Sequence, residues 1–323
     1  MRASAAPRTT HGPAVVAFGG GHGLSASLSA LRLVTDRITA VVTVADDGGS
    51  SGRLRDELGV LPPGDLRMAL AALCDDSEWG RTWRDVLQHR FSSDGELDRH
   101  AVGNLLIVAL WELLGDTVEG LDWVGRLLGA RGRVLPMAAV PLRIEADVRR
   151  AAGTDVVVGQ SRIAVTVDPI ESVRLVPPDP PACAEAVEAV RAADWVVLGP
   201  GSWYTSVLPH LLVPELRDAL LATSAPIVLT LNLAPGSGET VGMRAEQYLD
   251  VIHDYAPDLR FAAVVADPTA VEDTHALADR CELGGAHLIL RQVGRGDGTA
   301  QHDPLRLAAA YRDAADHVLG DVG

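Results

Sequence analysis

Short, continuously apolar runs punctuate the chain, and glycines follow several of them directly. Ala14–Phe18 runs into Gly19–Gly23, Thr39–Ala45 into Asp46–Gly49, Trp195–Leu198 into Gly199–Ser202, and Ile227–Leu233 leads through Asn232 to Gly236–Thr240. Runs without polar alternation read as strands covered on both faces, the habit of parallel sheets flanked by helices. Leucines at helical spacing lie between them: Leu24, Leu28 and Leu31 after the first turn, and Leu66, Leu70 and Leu73 after Pro62-Pro63-Gly64. Trp83, Val86 and Leu87 share a further helix face expected to join the core. Gln88–Phe91 ends that helix and Arg99–Asn104 opens the next. Phe261–Ala266 and His287–Leu290 complete the sheet, and an alanine-rich helix begins at about Pro304. The repeated unit is strand, glycine turn, helix, which predicts an α/β fold with a mostly parallel sheet.

From about Val134 to Val176 the period changes. Leu142, Ile144, Ala146 and Val148 alternate with Arg143, Glu145 and Asp147, as in a half-exposed strand. Val156–Val158 and Ile163–Val167 are expected to add strands, making a small antiparallel insertion closed by Pro177–Pro181. The organisation expected is a disordered leader over residues 1–12, then one domain over 13–323 with its β insertion at about 134–176.

Candidate chemistry gathers in the turns. Gly19-Gly20-Gly21-His22-Gly23 opens like a phosphate-binding βα turn, although Leu24 stands where the dinucleotide fingerprint needs its last glycine. The stretch Ala45–Arg55 carries two acids, three glycines, Ser50, Ser51, Arg53 and Arg55, a mixture that suits an anion better than a core. Asp46 can cap the turn before Gly48 or accept from a ligand hydroxyl. Asp65 fits an N-cap, whereas Arg67 is a first-turn cation set against the helix dipole and so a candidate for ligand charge. His89 and His100 lie at helix boundaries, where exposure or a hydrogen bond would account for them equally well. Gly199–Ser206 is a second phosphate-type turn, with hydroxyls where a P-loop has lysine.

Composition narrows the chemistry. The net charge is −15, which argues against nucleic acid and acidic membranes as partners. All 28 basic residues are arginine, so Schiff-base lysines and lysine-bearing P-loops are excluded. Cys74, Cys183 and Cys281 have no metal-ligand spacing, and a reducing cytoplasm suits them. The longest apolar run, Leu105–Leu114, is too short for a membrane span and contains Glu112.

Taken together, these stretches resemble the YvcK family of gluconeogenesis factors, in the CofD-like superfamily. Gly19–Leu24, Val42–Arg55, Pro62–Arg67, Gln88–Phe91, Gly103-Asn104, Leu198–Ser202 with Tyr204-Thr205-Ser206, and Gly238-Glu239-Thr240 carry the resemblance. It implies a Rossmann-like three-layer α/β fold in the cytoplasm. It also implies a regulatory protein that binds UDP-sugars such as UDP-GlcNAc or UDP-glucose and serves cell shape and wall synthesis on gluconeogenic carbon sources. Partners it leaves room for are a second copy of the chain and regulators of wall synthesis. The site it implies comprises Gly19–Leu24, Asp46, Asp47, Ser50, Ser51, Arg53, Gly64, Asp65, Arg67, His100, Asn104, Gly199, Pro200, Gly201, Ser202, Tyr204, Thr205, Ser206, Asn232, Glu239 and Thr240. The two glycine turns would hold a diphosphate through backbone N–H groups, and Arg53 and Arg67 would add charge.

A second reading is a CofD-like transferase acting on a nucleotide-activated phospho-acid, with Asp46 and Asp47 holding Mg2+ against the diphosphate. A third is an NAD-binding protein. Departures from the family pattern are His22, Met68, Pro235-Gly236 and Gln301. Gln301 stands where arginine is common, which leaves a phosphate contact to Arg291 or Arg295.

Overall fold

A computed structural model of the protein describes residues 12–151, 153–234 and 238–320. Its strands in chain order are β1 (Val15–Gly19), β2 (Ile38–Val42), β3 (Arg133–Pro136), β4 (Arg143–Arg150), β5 (Gly153–Val158), β6 (Ile170–Val176), β7 (Trp195–Leu198), β8 (Ile227–Thr230), β9 (Ala263–Ala266) and β10 (His287–Leu290). Seven of them form one parallel sheet in the order β10-β9-β8-β7-β1-β2-β3. Every residue of β1, β7, β8 and β9 is buried, which is why these segments read as unbroken apolar runs.

The winding of the sheet positions the site. The chain lays β2 and β3 on one side of β1, then returns to place β7 and its successors on the other. β1 and β7 therefore flank the switch point of the sheet, where open α/β sheets form their ligand crevice. Phe18 pairs in register with Leu198, so Gly19 and Gly199 leave the sheet side by side. Helix Gly21–Leu31 packs between helix Gly64–Leu73 and the last helix, Pro304–Gly320.

Antiparallel strands β5-β4-β6 form the insertion. Leu142, Ile144, Ala146 and Val148 are all buried in the common core, as their alternation predicts. Three expectations need correction. Val134–Pro136 is an edge strand of the main sheet, so the small sheet proper begins at β4. Ile163–Val167 is not a strand: Gly159 turns the chain at φ +101°, a helical turn covers Gln160–Ile163, and Val165 and Val167 are exposed. Of Trp83, Val86 and Leu87, only Leu87 is fully buried, because this helix lies over the molecule's surface and Val86 faces outward.

The leader expected over residues 1–12 falls, except for Gly12, outside the described residues, as do Pro235, Gly236 and Ser237. Among the described residues no helix is long and apolar enough to cross a membrane. Cys74, Cys183 and Cys281 are free and buried.

Candidate functional site

The two glycine turns at the switch point touch backbone to backbone. A β-carbon on Gly23 would lie 2.2 Å from the Pro200 carbonyl oxygen and 2.6 Å from the Gly201 Cα, so no larger residue fits without moving a turn. Gly199 holds φ at +73°, a conformation natural to glycine. Asn232 staples the second turn from β8: its Oδ1 accepts the Gly201 N–H at 2.9 Å, and its Nδ2 donates to the Gly201 carbonyl at 2.7 Å. Asn232 thus holds the turn with its amide, and the Gly201 N–H is already engaged.

Above these turns opens a cavity of about 530 Å³. His22, Gly23, Pro200, Gly201, Ser202 and Asn232 line one part of it, and Glu239 and Thr240 another. Ser25, Ser29, Ala164, Gln301 and His302 also line it. Ser25 and Ser29 were legible as the small polar positions between Leu24, Leu28 and Leu31 on one helix. Ala164 arrives from the insertion and left no local signal. Arg295 lines the cavity, whereas Arg291 pairs with Asp313 at 2.7 Å. Of the two arginines able to compensate for Gln301, the fold brings Arg295.

Glu239 is only 7% exposed, and one carboxylate oxygen accepts the Tyr204 N–H at 3.0 Å. The other has no partner. Burial pushes its pKa up to about 7, against the opposing pull of N–H groups from Trp203–Thr205. Tyr204, Thr205 and Ser206 lie buried in a π-helical turn behind this wall, with the Tyr204 hydroxyl directed to the Met243 sulfur at 3.7 Å. They support the site from below. His302 is buried too, and desolvation pulls its pKa down to about 4, so its ring is neutral.

The loop after β2 divides its two aspartates. Asp46 Oδ1 accepts the Gly48 N–H at 2.9 Å, while Asp47 Oδ1 accepts the Ser161 N–H of the insertion at 2.9 Å. Asp47 therefore anchors the insertion and does not join Asp46. Asp46 shares its cavity with a third acid, Asp65, while still feeling the Asp47 charge. The expected N-cap role is also corrected, since Asp65 lies inside the first turn of Gly64–Leu73 and that helix has no side-chain cap. Its carboxylate accepts the Gly21 N–H beneath the first glycine turn, and a β-carbon on Gly20 would come within 2.5 Å of its Oδ2. Burial, with the Asp46 charge second, pushes Asp65 up to about 7, and burial raises Asp46 as well. Two desolvated carboxylates that repel each other suit a hard cation. Among the described residues no three His, Cys, Asp or Glu side chains converge, so Mg2+ here would need phosphate and water for its other ligands.

Arg53 was expected on a phosphate. Its guanidinium instead donates to the carbonyls of Glu96 at 3.0 Å and Asp98 at 2.6 Å, tying down the segment before His100. Arg55 donates to the carbonyls of Asp46 at 3.3 Å and Leu142 at 3.4 Å. Arg67 is held by a buried polar network. Its Nε donates to Asn104 Oδ1 at 2.9 Å, and Asn104 Nδ2 donates to Ser50 Oγ at 3.0 Å and Ser51 Oγ at 3.4 Å. His100 Nδ1 lies 3.0 Å from the same Ser50 hydroxyl. Gly64 lets the helix end approach closely, since a β-carbon there would meet Ser51 Oγ at 2.3 Å. His100, Asn104 and Ser50 therefore position Arg67, which faces a second cavity of about 340 Å³ beside Asp46 and Asp65.

A doubly wound parallel sheet with two glycine turns meeting at its switch point has the architecture of nucleotide-binding α/β proteins. The family described as 2-phospho-L-lactate transferase CofD matches residues 15–286. A putative gluconeogenesis factor of Mycobacterium leprae is 51% identical over 308 residues, 92% of this chain and 85% of that protein. The gluconeogenesis factor of Bacillus subtilis is 38% identical over 243 residues, 75% of each. The crystal structure of a UPF0052 family protein from Bacillus halodurans superposes with a TM-score of 0.84 at 34% identity, covering 93% of this chain and 99% of that one. The chain belongs to the CofD family, among its gluconeogenesis-factor members.

Proposed function

We propose that the protein is a cytoplasmic UDP-sugar-binding regulator, linked to cell shape and wall synthesis during gluconeogenic growth. One observation carries the reading: the backbone contact of Gly23 with Pro200 and Gly201, which sets two glycine turns at the switch point beneath the 530 Å³ cavity. In this reading the diphosphate lies across the turns on the N–H groups of His22 and Gly23, the Gly21 N–H being held by Asp65, with Ser202 beside them. The nucleoside occupies the cavity toward Glu239, Arg295 and His302. Glu239 and neutral His302 line the part of the cavity that would receive the base and ribose.

The second reading, a transferase acting on a nucleotide-activated phospho-acid, draws its support from the Asp46–Asp65 pair. When bound there, Mg2+ would neutralise charge on the donor's diphosphate as its P–O–P bond breaks and a nucleoside monophosphate leaves. Asp46 and Asp65 would hold it, and Arg67 would steady the anionic oxygens.

A thermal-shift panel of UDP-GlcNAc, UDP-glucose, GDP and NAD, with and without magnesium and followed by product analysis, separates the readings. A ligand at a hundred times its Kd adds about 2.7 kcal/mol, which for a domain of this size raises Tm by roughly 4 °C. Such a shift with UDP-sugars returned intact supports the regulator. Magnesium-dependent product formation supports the transferase instead, and a shift with NAD alone sinks both.

A further inference from the structure

The second cavity has the makings of an anion site distinct from the diphosphate cradle. It shares no lining residue with the 530 Å³ cavity and adjoins it where the Ser25 hydroxyl donates to the Met68 carbonyl at 3.4 Å. Arg67, Arg90 and Arg99 all line it. Arg67 is 3% exposed, and its Nη1 has no partner. Although the chain holds 43 acids to 28 arginines, none of these three forms an ion pair among the described residues, while many other arginines do. The acids of the same cavity, Asp46 and Asp65, already accept N–H groups from Gly48 and Gly21.

Two further features point the same way. Helices Gly49–Leu58 and Gly64–Leu73 both begin on this cavity, and neither has a side-chain cap, so their first N–H groups remain available. Arg99 is held at φ +59°, unusual for a residue with a β-carbon, and its carbonyl accepts Arg90 Nη1 at 2.9 Å. Strained backbone of this kind concentrates where a side chain must be presented to a ligand.

We infer that this cavity binds an oxyanion, a carboxylate or phosphate, next to the bound nucleotide, with Arg67, Arg90, Arg99 and the two helix N-termini as its donors. The oxyanion comes either from the distal sugar of the nucleotide ligand or from a separate small phosphorylated metabolite. The inference rests on the nucleotide reading only for what lies next door.

Calorimetry on the full chain tests it in two arms. The first compares UDP-glucose with UDP-glucuronate, which differ by one carboxylate. The second titrates inorganic phosphate into protein with and without saturating UDP. The inference predicts either at least tenfold tighter binding of UDP-glucuronate, or saturable phosphate binding. Arg90→Gln and Arg99→Asn, which tolerates the left-handed backbone, should each reduce that preference or affinity about tenfold while circular dichroism shows a folded chain. No carboxylate preference together with no phosphate binding overturns it, as does either effect surviving both substitutions. If UDP itself fails to bind, the nucleotide reading falls, and the nucleotide-free phosphate arm still decides this one.

Discussion

Replacing Glu239 by glutamine isolates the electrostatic cost of the cavity wall. The carboxylate is 7% exposed, and its pKa rises from 4.5 to about 7 on folding, chiefly by desolvation. At 1.36 kcal/mol per pKa unit, the shift corresponds to about 3 kcal/mol. The sign follows from proton linkage: the folded state holds this proton more tightly than the unfolded chain. Stability is therefore undiminished below about pH 4.5, falls as pH rises through about 7, and stays lower above it. Glutamine keeps an oxygen to accept the Tyr204 N–H and cannot ionise. Urea unfolding followed by circular dichroism, at intervals between about pH 4.5 and pH 8, should show the variant and parent equal at the acid end. At the basic end the variant should be more stable by about 3 kcal/mol. Parallel stability curves for the two proteins would refute the claim that desolvation of Glu239 outweighs the N–H groups that face it.

Other substitutions test the remaining parts. Gly23→Ala must push the two turns apart at the Pro200 carbonyl; it should cost about 1–3 kcal/mol of stability and abolish detectable nucleotide affinity in the thermal-shift panel. Asn104→Leu removes the acceptor of Arg67 Nε and should destabilise by about 2 kcal/mol, read from the urea midpoint. Asp46→Asn should eliminate any magnesium dependence of nucleotide binding, whereas Asp47→Ala should preserve it and instead loosen the insertion, seen as faster amide exchange at Ser161. Arg53→Ala should change nucleotide affinity less than Arg67→Ala, because Arg53 is committed to the carbonyls of Glu96 and Asp98; equal losses would restore Arg53 to the site.

The fold was legible because burial on both faces of a parallel sheet writes itself as unbroken apolar runs. β1 and β7 are the clear instances, while the alternation of Leu142–Val148 marks a strand buried on one face only. What failed depended on distant partners. Ile163–Val167 has strand composition, yet Gly159 and the Asp47 carboxylate start a helical turn there. Asp65 follows Pro-Pro-Gly where a cap is expected, but it lies inside the first turn and its carboxylate goes to a glycine turn more than forty residues earlier. In the site, the glycine turns were visible in sequence, but the close backbone approach that requires glycine at Gly23 comes from Pro200 and Gly201, far along the chain. Adjacency misled for Asp46 and Asp47: their carboxylates accept from different elements, and Asp46 shares its cavity with Asp65, which the sequence does not place beside it. Arg90 and Arg99 gave no signal, because nothing local tells an arginine at a helix boundary from one left without an acid.

The central claim is that Gly19–Gly23 and Gly199–Ser202 together form a diphosphate cradle. A crystal structure of the full chain grown with UDP-GlcNAc tests it most directly. The account predicts the diphosphate across the two turns, the uridine in the cavity lined by Glu239, Arg295 and His302, and the sugar directed toward Arg67. A nucleotide bound elsewhere, or turns left bare at saturating ligand, would contradict it.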